Sequence, residues 1–309
     1  MSAKIIDGNI IAERIKTEVK SELSELLKRQ SGRKPVLVAV QVGENPASKV
    51  YVKNQKLSCE EVGIEYNLVQ LDNNISEDDL ISEIRKLGQD EKITGIILQM
   101  PLPGHINSRK IQMSIPDELD VEGVTPANLG KLLYAGVQPT VAPCTALSVM
   151  ECIKSTGENI KGKEAVIVGH SEIVGKPVIL MLLSSLLESA TPTVCHIATK
   201  DLASHTKRAE ILIVAVGVPG LIKGDMVRNG AIVIDVGINR IQMKDEKGNL
   251  VIDEKTGKPK MRIVGDVVYD QAKEVAGYIT PVPGGVGATT TVMLLKNLLE
   301  LYKIQKRKL

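Results

Sequence analysis

The stretch AVIVGHSEIVGKP (165–177) holds the pattern that decides the fold of the C-terminal half of the chain. An apolar run ends at Gly169, a short turn follows, and Gly175 stands where a helix would begin. Glycines at these points let backbone N–H groups approach a phosphate at the helix N-terminus. The spacing is not G-x-G-x-x-G, so a plain strand–turn–helix with a glycine at each bend stays an alternative interpretation.

Apolar strand-like runs alternate with helical patterns on both sides of this stretch. The other runs are 35–43, 93–103, 191–199, 209–217 and 229–239. Continuous apolar strands separated by helices predict parallel sheets covered on both faces, and therefore an α/β protein. The segment 240–266 is polar and glycine-rich, and it is predicted to form a β-hairpin.

The composition narrows the class of protein. The chain has 309 residues and a formal net charge of +2. These values predict about two domains, and no field strong enough to recruit nucleic acid or a membrane surface. The chain has no Phe and no Trp, which nearly excludes aromatic stacking on nucleic-acid bases.

Patterns that the sequence lacks bear on the cellular compartment of the protein and on metal binding. The four cysteines form no C-x-x-C pair, and the four histidines are dispersed without ligand spacing. The start of the sequence lacks a signal-peptide pattern, and no apolar run is long enough for a membrane helix. We therefore expect a cytoplasmic protein with no metal site.

Two more regions have the residue types of a ligand site. The loop PVPGGVG (281–287) precedes a predicted helix, and its prolines and glycines indicate unusual backbone geometry. Such a loop is typical of a ligand-binding site. The alternative is an elaborate start of the helix. In the N-terminal half, Tyr51 and Gln55 are i and i+4 on a predicted helix and share a face. Gln99 follows a buried strand, at the edge where open α/β sheets bind ligands.

In their order along the chain, these segments resemble the bifunctional methylenetetrahydrofolate dehydrogenase/methenyltetrahydrofolate cyclohydrolase family. The matching segments are VGENPASKVYV, CEEVGI, GIILQMPLP, LDVEGVTPANLGKL, PCTALSVMECI, VIVGHSEIVGKP, GAIVIDVGIN, VGDV and ITPVPGGVG. The resemblance implies two αβ domains with a cleft between them. Residues 1–145, completed by the C-terminal helix 289–309, would be the folate-side domain, and 146–288 a Rossmann-like NAD(P)-binding domain. It also implies a homodimer.

The resemblance assigns roles on the folate side. The positions expected to be catalytic are Tyr51, Gln55, Gln99 and Glu122. The other substrate-binding positions are Val52, Lys53, Asn54, Leu98, Met100, Pro283, Gly284, Gly285, Val286 and Gly287. Gln99 and Glu122 would hold the pterin ring and stabilise a cation at the one-carbon group, and Tyr51 would shape the pocket.

Two of these positions depart from the family pattern. The family has Tyr-x-x-x-Lys where this chain has YVKNQ, so Gln55 replaces the lysine, and Glu122 replaces the second aspartate of Asp-Val-Asp-Gly. An amide only donates and accepts hydrogen bonds, so it cannot act as a base or a cation. We therefore hypothesise a dehydrogenase with reduced or absent cyclohydrolase activity. The alternatives are substitution by Lys53 or Lys56, a fully bifunctional NADP enzyme, and a non-catalytic binding protein.

The resemblance also assigns the cofactor site. The expected positions are Gly169, His170, Ser171, Ile173, Gly175, His196, Ile197, Gly217 and Ile238. Family members that use NADP have GRS where this chain has GHS, and Ser or Arg at the position of Ile197. Because isoleucine offers a 2′-phosphate no hydrogen bond, we predict a preference for NAD over NADP. Ala288 and Thr289 also stand where relatives often have Pro-Met.

Overall fold

The computed structural model describes residues 2–30, 33–44, 46–134, 141–185, 187–243, 245, 248–254 and 256–307, with the backbone alone for 30 and 46–50. The chain forms two compact units. We call residues 1–11 with 148–289 the six-stranded unit, and residues 12–147 with 290–309 the three-stranded unit, after the main sheet that each contains within the described residues. Among these residues, no helix combines the length and apolar character needed to span a membrane.

The strands and helices follow in chain order. The strands are β1 (Lys4–Ile5), β2 (Val36–Val42), β3 (Glu65–Leu71), β4 (Gly95–Leu98), β5 (Glu164–Val168), β6 (Thr191–Cys195), β7 (Ile211–Val214), β8 (Ile232–Asp235), β9 (Asn239–Gln242), β10 (Met261–Val264) and β11 (Tyr278–Ile279). The helices are α1 (Gly8–Gln30), α2 (Pro46–Val62), α3 (Glu77–Gly88), α4 (Ser108–Gln112), α5 (Pro126–Lys131), α6 (Cys144–Ser155), α7 (Gly175–Leu182), α8 (Leu202–Thr206), α9 (Tyr269–Lys273) and α10 (Val286–Arg307). The α/β fold is therefore confirmed.

The six-stranded unit has a parallel sheet in the order β1-β11-β8-β7-β5-β6. Its central strands β7 and β8 are buried throughout, because helices cover such sheets on both faces. The register aligns Cys195, Val168, Val214 and Asp235 in one row across four strands. The loops that follow these residues therefore leave from the same edge of the sheet. The predicted hairpin is also confirmed, since β9 and β10 pair antiparallel.

The first residues of the chain lie with this unit. Strand β1 pairs in parallel with β11, and Gly8 donates its N–H to the Gly284 carbonyl at 2.8 Å. A Cβ at Gly8 would meet the Gly285 carbonyl oxygen at 2.0 Å, so only glycine fits this approach. Residues 1–11 thus group with 148–289, and not with the N-terminal domain in which the predicted boundaries place them.

The three-stranded unit has the parallel order β3-β2-β4. Its central strand β2 is buried along its whole length, in an aliphatic core with α3 and β4. The predicted N-cap of α3 is confirmed, because Ser76 Oγ accepts a hydrogen bond from the Asp79 N–H at 3.1 Å.

The C-terminal part of α10 is attached to the three-stranded unit by side-chain hydrogen bonds to backbone carbonyls. Tyr302 donates to the Arg33 carbonyl at 2.7 Å, and Gln305 donates to the Ile93 carbonyl at 3.1 Å. The buried Asn297 donates to the Val121 and Ala142 carbonyls, both at 2.9 Å. This part of α10 therefore closes gaps in the backbone hydrogen bonding of residues far away in sequence.

We expect Asn297→Ala to lower the free energy of unfolding by about 2–4 kcal/mol, because two buried carbonyl groups lose their donor. Urea titration followed by circular dichroism measures this change. Asn67→Ala is the matched control, since within the described part of the chain the exposed Asn67 side-chain amide donates only to the nearby Glu65 carboxylate. Equal losses in the two variants would contradict this account of α10.

Candidate active site

A pair of buried glutamines lies at the carboxyl edge of the three-stranded sheet. Gln99 directly follows β4, and its N–H donates to the Val40 carbonyl at 2.8 Å. Gln55 lies on α2 and is fully buried. The Gln99 side chain donates from Nε2 to Gln55 Oε1 at 2.8 Å. The structure therefore brings together two side chains that are distant in sequence and that sequence analysis singled out.

Tyr66 is a third member of this cluster, and sequence analysis missed it. It lies on β3 with 9% of its side chain exposed, and its hydroxyl donates to Gln55 Oε1 at 3.3 Å. Burial raises the pKa of Tyr66 well above its ordinary value, with smaller contributions from Cys59 and Tyr51. The hydroxyl is therefore a permanent donor at physiological pH. No local motif marks Tyr66, because a single tyrosine in a strand has no distinctive spacing.

The neighbouring residues of α2 have a different environment. Lys53 and Asn54 are exposed, Val52 is half-buried, and Lys56 forms an exposed ion pair with Glu60 at 3.8 Å. At the end of β4, Leu98 is buried and Met100 is 44% exposed. The α2 position that faces the interior beside Gln99 is thus occupied by an amide, while the two nearby lysines lie on the surface.

Two acidic residues after β4 have different environments. Asp120 is fully buried and accepts hydrogen bonds from the Gly123 N–H, the Thr125 N–H and the Asn128 side chain at 2.8–3.0 Å. These bonds shape the turn into α5. Burial raises the pKa of the Glu122 carboxyl to about 8, with a further increase from the Asp120 charge and an opposing hydrogen bond from the Leu98 backbone. Glu122 is therefore largely protonated at neutral pH and can donate a hydrogen bond.

Tyr51 and Cys144 respond to the same carboxyl group. Burial of the Tyr51 hydroxyl raises its pKa, as does the charge of Glu122, while the Gln55 and Thr291 side chains partly oppose the increase. Burial raises the pKa of the Cys144 thiol well above its ordinary value, and Glu122 adds to the effect. The ring of Tyr51 remains 46% exposed. Tyr51, Gln55, Gln99 and Glu122 thus form one cluster whose groups are neutral at pH 7.

The six-stranded unit has its own candidate site at the carboxyl edge of its sheet. After β5, Gly169 adopts a φ of +111°, and a Cβ there would meet the Ala215 carbonyl oxygen at 2.2 Å. A Cβ at Gly175 would meet the Gly169 carbonyl oxygen at 2.1 Å. Ser171 Oγ accepts from the Val174 N–H at 3.2 Å. The turn therefore packs tightly against the start of α7, as close approach to a phosphate requires.

Exposed aliphatic side chains surround this turn. Four successive loops at the carboxyl edge each expose one: Ile173, Ile197, Val218 and Ile238. Such side chains suit the flat faces of adenine and nicotinamide rings in a chain that has no Phe or Trp. His170 and His196 are exposed, with ring centroids 5.3 Å apart in edge-to-face contact. The residues present therefore fit a dinucleotide.

Two buried carboxylates that sequence analysis did not single out hold these loops in place. Asp266 accepts from the N–H groups of Val216 and Gly217, at 2.8 and 2.9 Å. Asp235 accepts from the N–H groups of Gly237, Asp266 and Val267 at 2.9–3.0 Å. Burial raises the pKa of Asp235 to about 6, and the backbone N–H donors oppose this increase. The VGD and IDVG segments are the only sequence signal of this network.

The glycine-rich loop before α10 lines a cavity of about 330 Å³ within the six-stranded unit. The cavity is lined by Asn9, Asp235, Val236, Gly237, Ile238, Ile263, Pro281, Val282, Pro283, Gly284, Gly285, Gly287 and Ala288. Val286, which was predicted to contact substrate, is buried with 2% exposure and is not part of this lining. Across the described residues, no cluster of three or more His, Cys, Asp or Glu could hold a metal ion.

Comparison with known proteins gives matches over almost the whole chain. Residues 6–122 match the family model "Tetrahydrofolate dehydrogenase/cyclohydrolase, catalytic domain", and residues 143–306 match the NAD(P)-binding domain of the same family. The "Bifunctional protein FolD" of Acetivibrio thermocellus is 43% identical over 307 residues, covering 99% of each chain.

Two solved structures are similar throughout. The bifunctional methylenetetrahydrofolate dehydrogenase/cyclohydrolase from Campylobacter jejuni has a TM-score of 0.86 and 40% identity, with 100% of each chain covered. The Trypanosoma brucei methylenetetrahydrofolate dehydrogenase-cyclohydrolase, solved with NADP and an inhibitor, has a TM-score of 0.88 and 36% identity, with 99% of each chain covered.

The raised pKa of Glu122 predicts a pH dependence of stability. Between the ordinary value of 4.5 and about 8, the folded state holds a proton on Glu122 that the unfolded state has lost. Stability therefore falls as pH rises through this window, with a slope no steeper than about 1.4 kcal/mol per pH unit. In Glu122→Gln this part of the slope should be absent. Urea unfolding of the wild-type protein and of Glu122→Gln at several pH values between 5 and 8 measures the difference in free energy of unfolding. Other titrating groups contribute equally to both proteins and cancel in this difference. If the free energy of unfolding changed with pH equally in the two proteins, the raised pKa of Glu122 would be contradicted.

Proposed function

The chain belongs to the tetrahydrofolate dehydrogenase/cyclohydrolase family, and from this premise we propose that it is a methylenetetrahydrofolate dehydrogenase with weak or absent cyclohydrolase activity. It oxidises 5,10-methylenetetrahydrofolate to 5,10-methenyltetrahydrofolate. In this reaction a C–H bond of the methylene carbon breaks, both electrons leave with the hydrogen, and the carbon becomes cationic. Bound NAD(P) supplies the hydride acceptor.

The observation that carries the proposal is the buried amide of Gln55. Hydration of the methenyl cation requires a positioned water and a group that moves its proton. Gln55 cannot titrate, and its oxygen is already occupied by Tyr66 and Gln99. Lys56 is paired with Glu60 on the surface, which argues against its substitution for the missing lysine. Hydride transfer depends mainly on alignment, so it tolerates a neutral cluster.

Roles for individual residues follow from this arrangement. Gln99 and Glu122 would contact the pterin and the one-carbon group, and Tyr51 would border them. On the other unit, the backbone of residues 169–175 would hold the phosphates of the dinucleotide, and Ile238 would pack against one of its rings. The 283–287 loop would position the folate.

The ordinary bifunctional enzyme is the second candidate. It is favoured by the names of the curated relatives and by Glu122, whose pKa of about 8 lies near the working pH, as a general acid or base requires. A non-catalytic folate-binding protein is the third. It would show binding in calorimetric titration without turnover in either assay.

A homodimer in the cytoplasm also remains a prediction, and sedimentation velocity measures the oligomeric state.

We expect Gln55→Lys to raise cyclohydrolase turnover by about 10- to 100-fold, because it supplies a titratable group where the wild-type chain has none. One preparation of each protein, assayed for both reactions, measures the ratio of the two activities. Lys56→Gln is the control and should leave both activities unchanged. Wild-type cyclohydrolase turnover as fast as the dehydrogenase would refute the proposed loss.

We also propose that NAD is preferred over NADP. Ile197 is fully exposed directly after β6, near the expected site of the adenosine ribose, and offers a 2′-phosphate no hydrogen bond.

Ile197→Arg should raise kcat/KM for NADP about tenfold or more, since a guanidinium pairs well with phosphate. Steady-state kinetics with both cofactors tests this expectation. Ile252→Arg, an exposed isoleucine of the same unit, is the matched control. A strong preference of the wild-type enzyme for NADP would overturn the proposal.

A further inference from the structure

The hydroxyl group of Tyr66 is joined to Gln99 through Gln55. Gln55 Oε1 accepts two hydrogen bonds, one from Tyr66 at 3.3 Å and one from Gln99 Nε2 at 2.8 Å. Tyr66 is 9% exposed, Gln99 is 4% exposed and Gln55 is fully buried, so water is largely excluded from these bonds. The three side chains come from β3, α2 and the end of β4, and they therefore connect three elements of the unit.

The direction of these bonds decides which end of each amide is used. Because Tyr66 donates its O–H to Gln55, the Gln55 amide must present its oxygen to that side. Gln99 must then present its nitrogen to the same oxygen. Gln99 then has its carbonyl oxygen, an acceptor with partial negative charge, and its second N–H left for other partners.

The observed orientation of the two amides leaves one buried nitrogen atom without a hydrogen bond within the described part of the chain. Gln55 Nε2 is the one buried side-chain nitrogen or oxygen atom without a hydrogen bond among the described residues. Turning both amides over would let this nitrogen donate to Gln99 Oε1 and to the Tyr66 oxygen, but the proton of the buried Tyr66 O–H would then lose its acceptor. An unsatisfied buried group costs about 1–3 kcal/mol in either case. The observed orientation is thus the one in which the Tyr66 O–H has an acceptor.

We propose that Tyr66 is a positioning residue, which through Gln55 makes Gln99 present its amide oxygen to the one-carbon group of the folate. This inference rests on the proposed dehydrogenase function. As the hydride leaves, positive charge develops on the carbon between N5 and N10. An amide oxygen stabilises this charge, whereas an amide NH₂ group opposes it, and the difference is greatest in the transition state.

The test begins with Tyr66→Phe, which removes one oxygen and keeps the buried ring. We expect kcat for methylenetetrahydrofolate oxidation to fall about tenfold, which corresponds to about 1.4 kcal/mol, with KM for the folate changed less than about twofold. The deuterium isotope effect on kcat, measured with dideuterated methylene substrate, should increase as hydride transfer becomes slower.

A control separates positioning from loss of stability. Tyr302→Phe removes another buried hydroxyl of the same unit, which donates to the Arg33 carbonyl. It should lower Tm by a similar amount or more and leave kcat unchanged. A tenfold loss of kcat in Tyr302→Phe would overturn the inference, because it would show that kcat follows stability alone.

A second variant tests whether Tyr66 acts through Gln55. Gln55→Met has similar volume but no hydrogen-bonding group, so it should lower kcat about as much as Tyr66→Phe does. Combining the two changes should give no further loss, since both break one relay. Independent losses that multiply in the double variant would overturn the inference.

A readout without turnover completes the test. With 15N-labelled glutamine, the side-chain amide protons of Gln99 should exchange slowly with solvent in the wild-type protein and faster in Tyr66→Phe. If the wild-type enzyme oxidises the folate and Tyr66→Phe retains its kcat and its amide protection, the positioning role is wrong while the proposed function stands. If the wild-type enzyme has no dehydrogenase turnover, the proposed function itself fails and this inference with it.

Discussion

Parallel strand pairing is the constraint on which both candidate sites depend. Strands that run in one direction end at one edge of the sheet, and their connecting loops must supply partners for the backbone groups that the sheet leaves unpaired there. In the six-stranded unit, Asp235 and Asp266 accept from five backbone N–H groups of these loops. In the three-stranded unit, Asp120 has a comparable role for the turn into α5. In the six-stranded unit this framework holds the loops that expose Val218 and Ile238.

Much of this organisation can be read from the sequence, because it depends on local patterns. Apolar runs between helical patterns identify the parallel strands, and Ser76 and Gly169 are recognisable from capping and turn chemistry. The proximity of Gln55 and Gln99 follows from helix periodicity and from the position of Gln99 after a strand. Tyr66 was missed, because its contact depends on the packing of α2 against β3. The pairing of β1 with β11 was missed for a related reason, since two residues are too few to form a periodic pattern.

The buried amide of Gln55 also limits what the three-stranded unit can do. A lysine ammonium at this depth would need a charged partner or would lose its proton. The amide avoids this desolvation, but its NH₂ group has no hydrogen bond among the described residues. It also accepts from Tyr66, which no ammonium can do. In this chain the Tyr66 O–H therefore has an acceptor on Gln55 that a lysine at the same position would not supply.

The replacement of lysine by Gln55 and the raised pKa of Glu122 have a common electrostatic basis. A cation within a few ångströms of a carboxyl group favours its ionised form and lowers its pKa. In this chain burial and the charge of Asp120 raise the pKa of Glu122, and only a backbone hydrogen bond from Leu98 opposes them. The acid therefore largely keeps its proton at neutral pH, so the cluster around Tyr51 remains uncharged. An uncharged cluster is compatible with loss of a hydride, which leaves positive charge on the substrate carbon, and it leaves Glu122 as a member whose pKa lies near neutral pH.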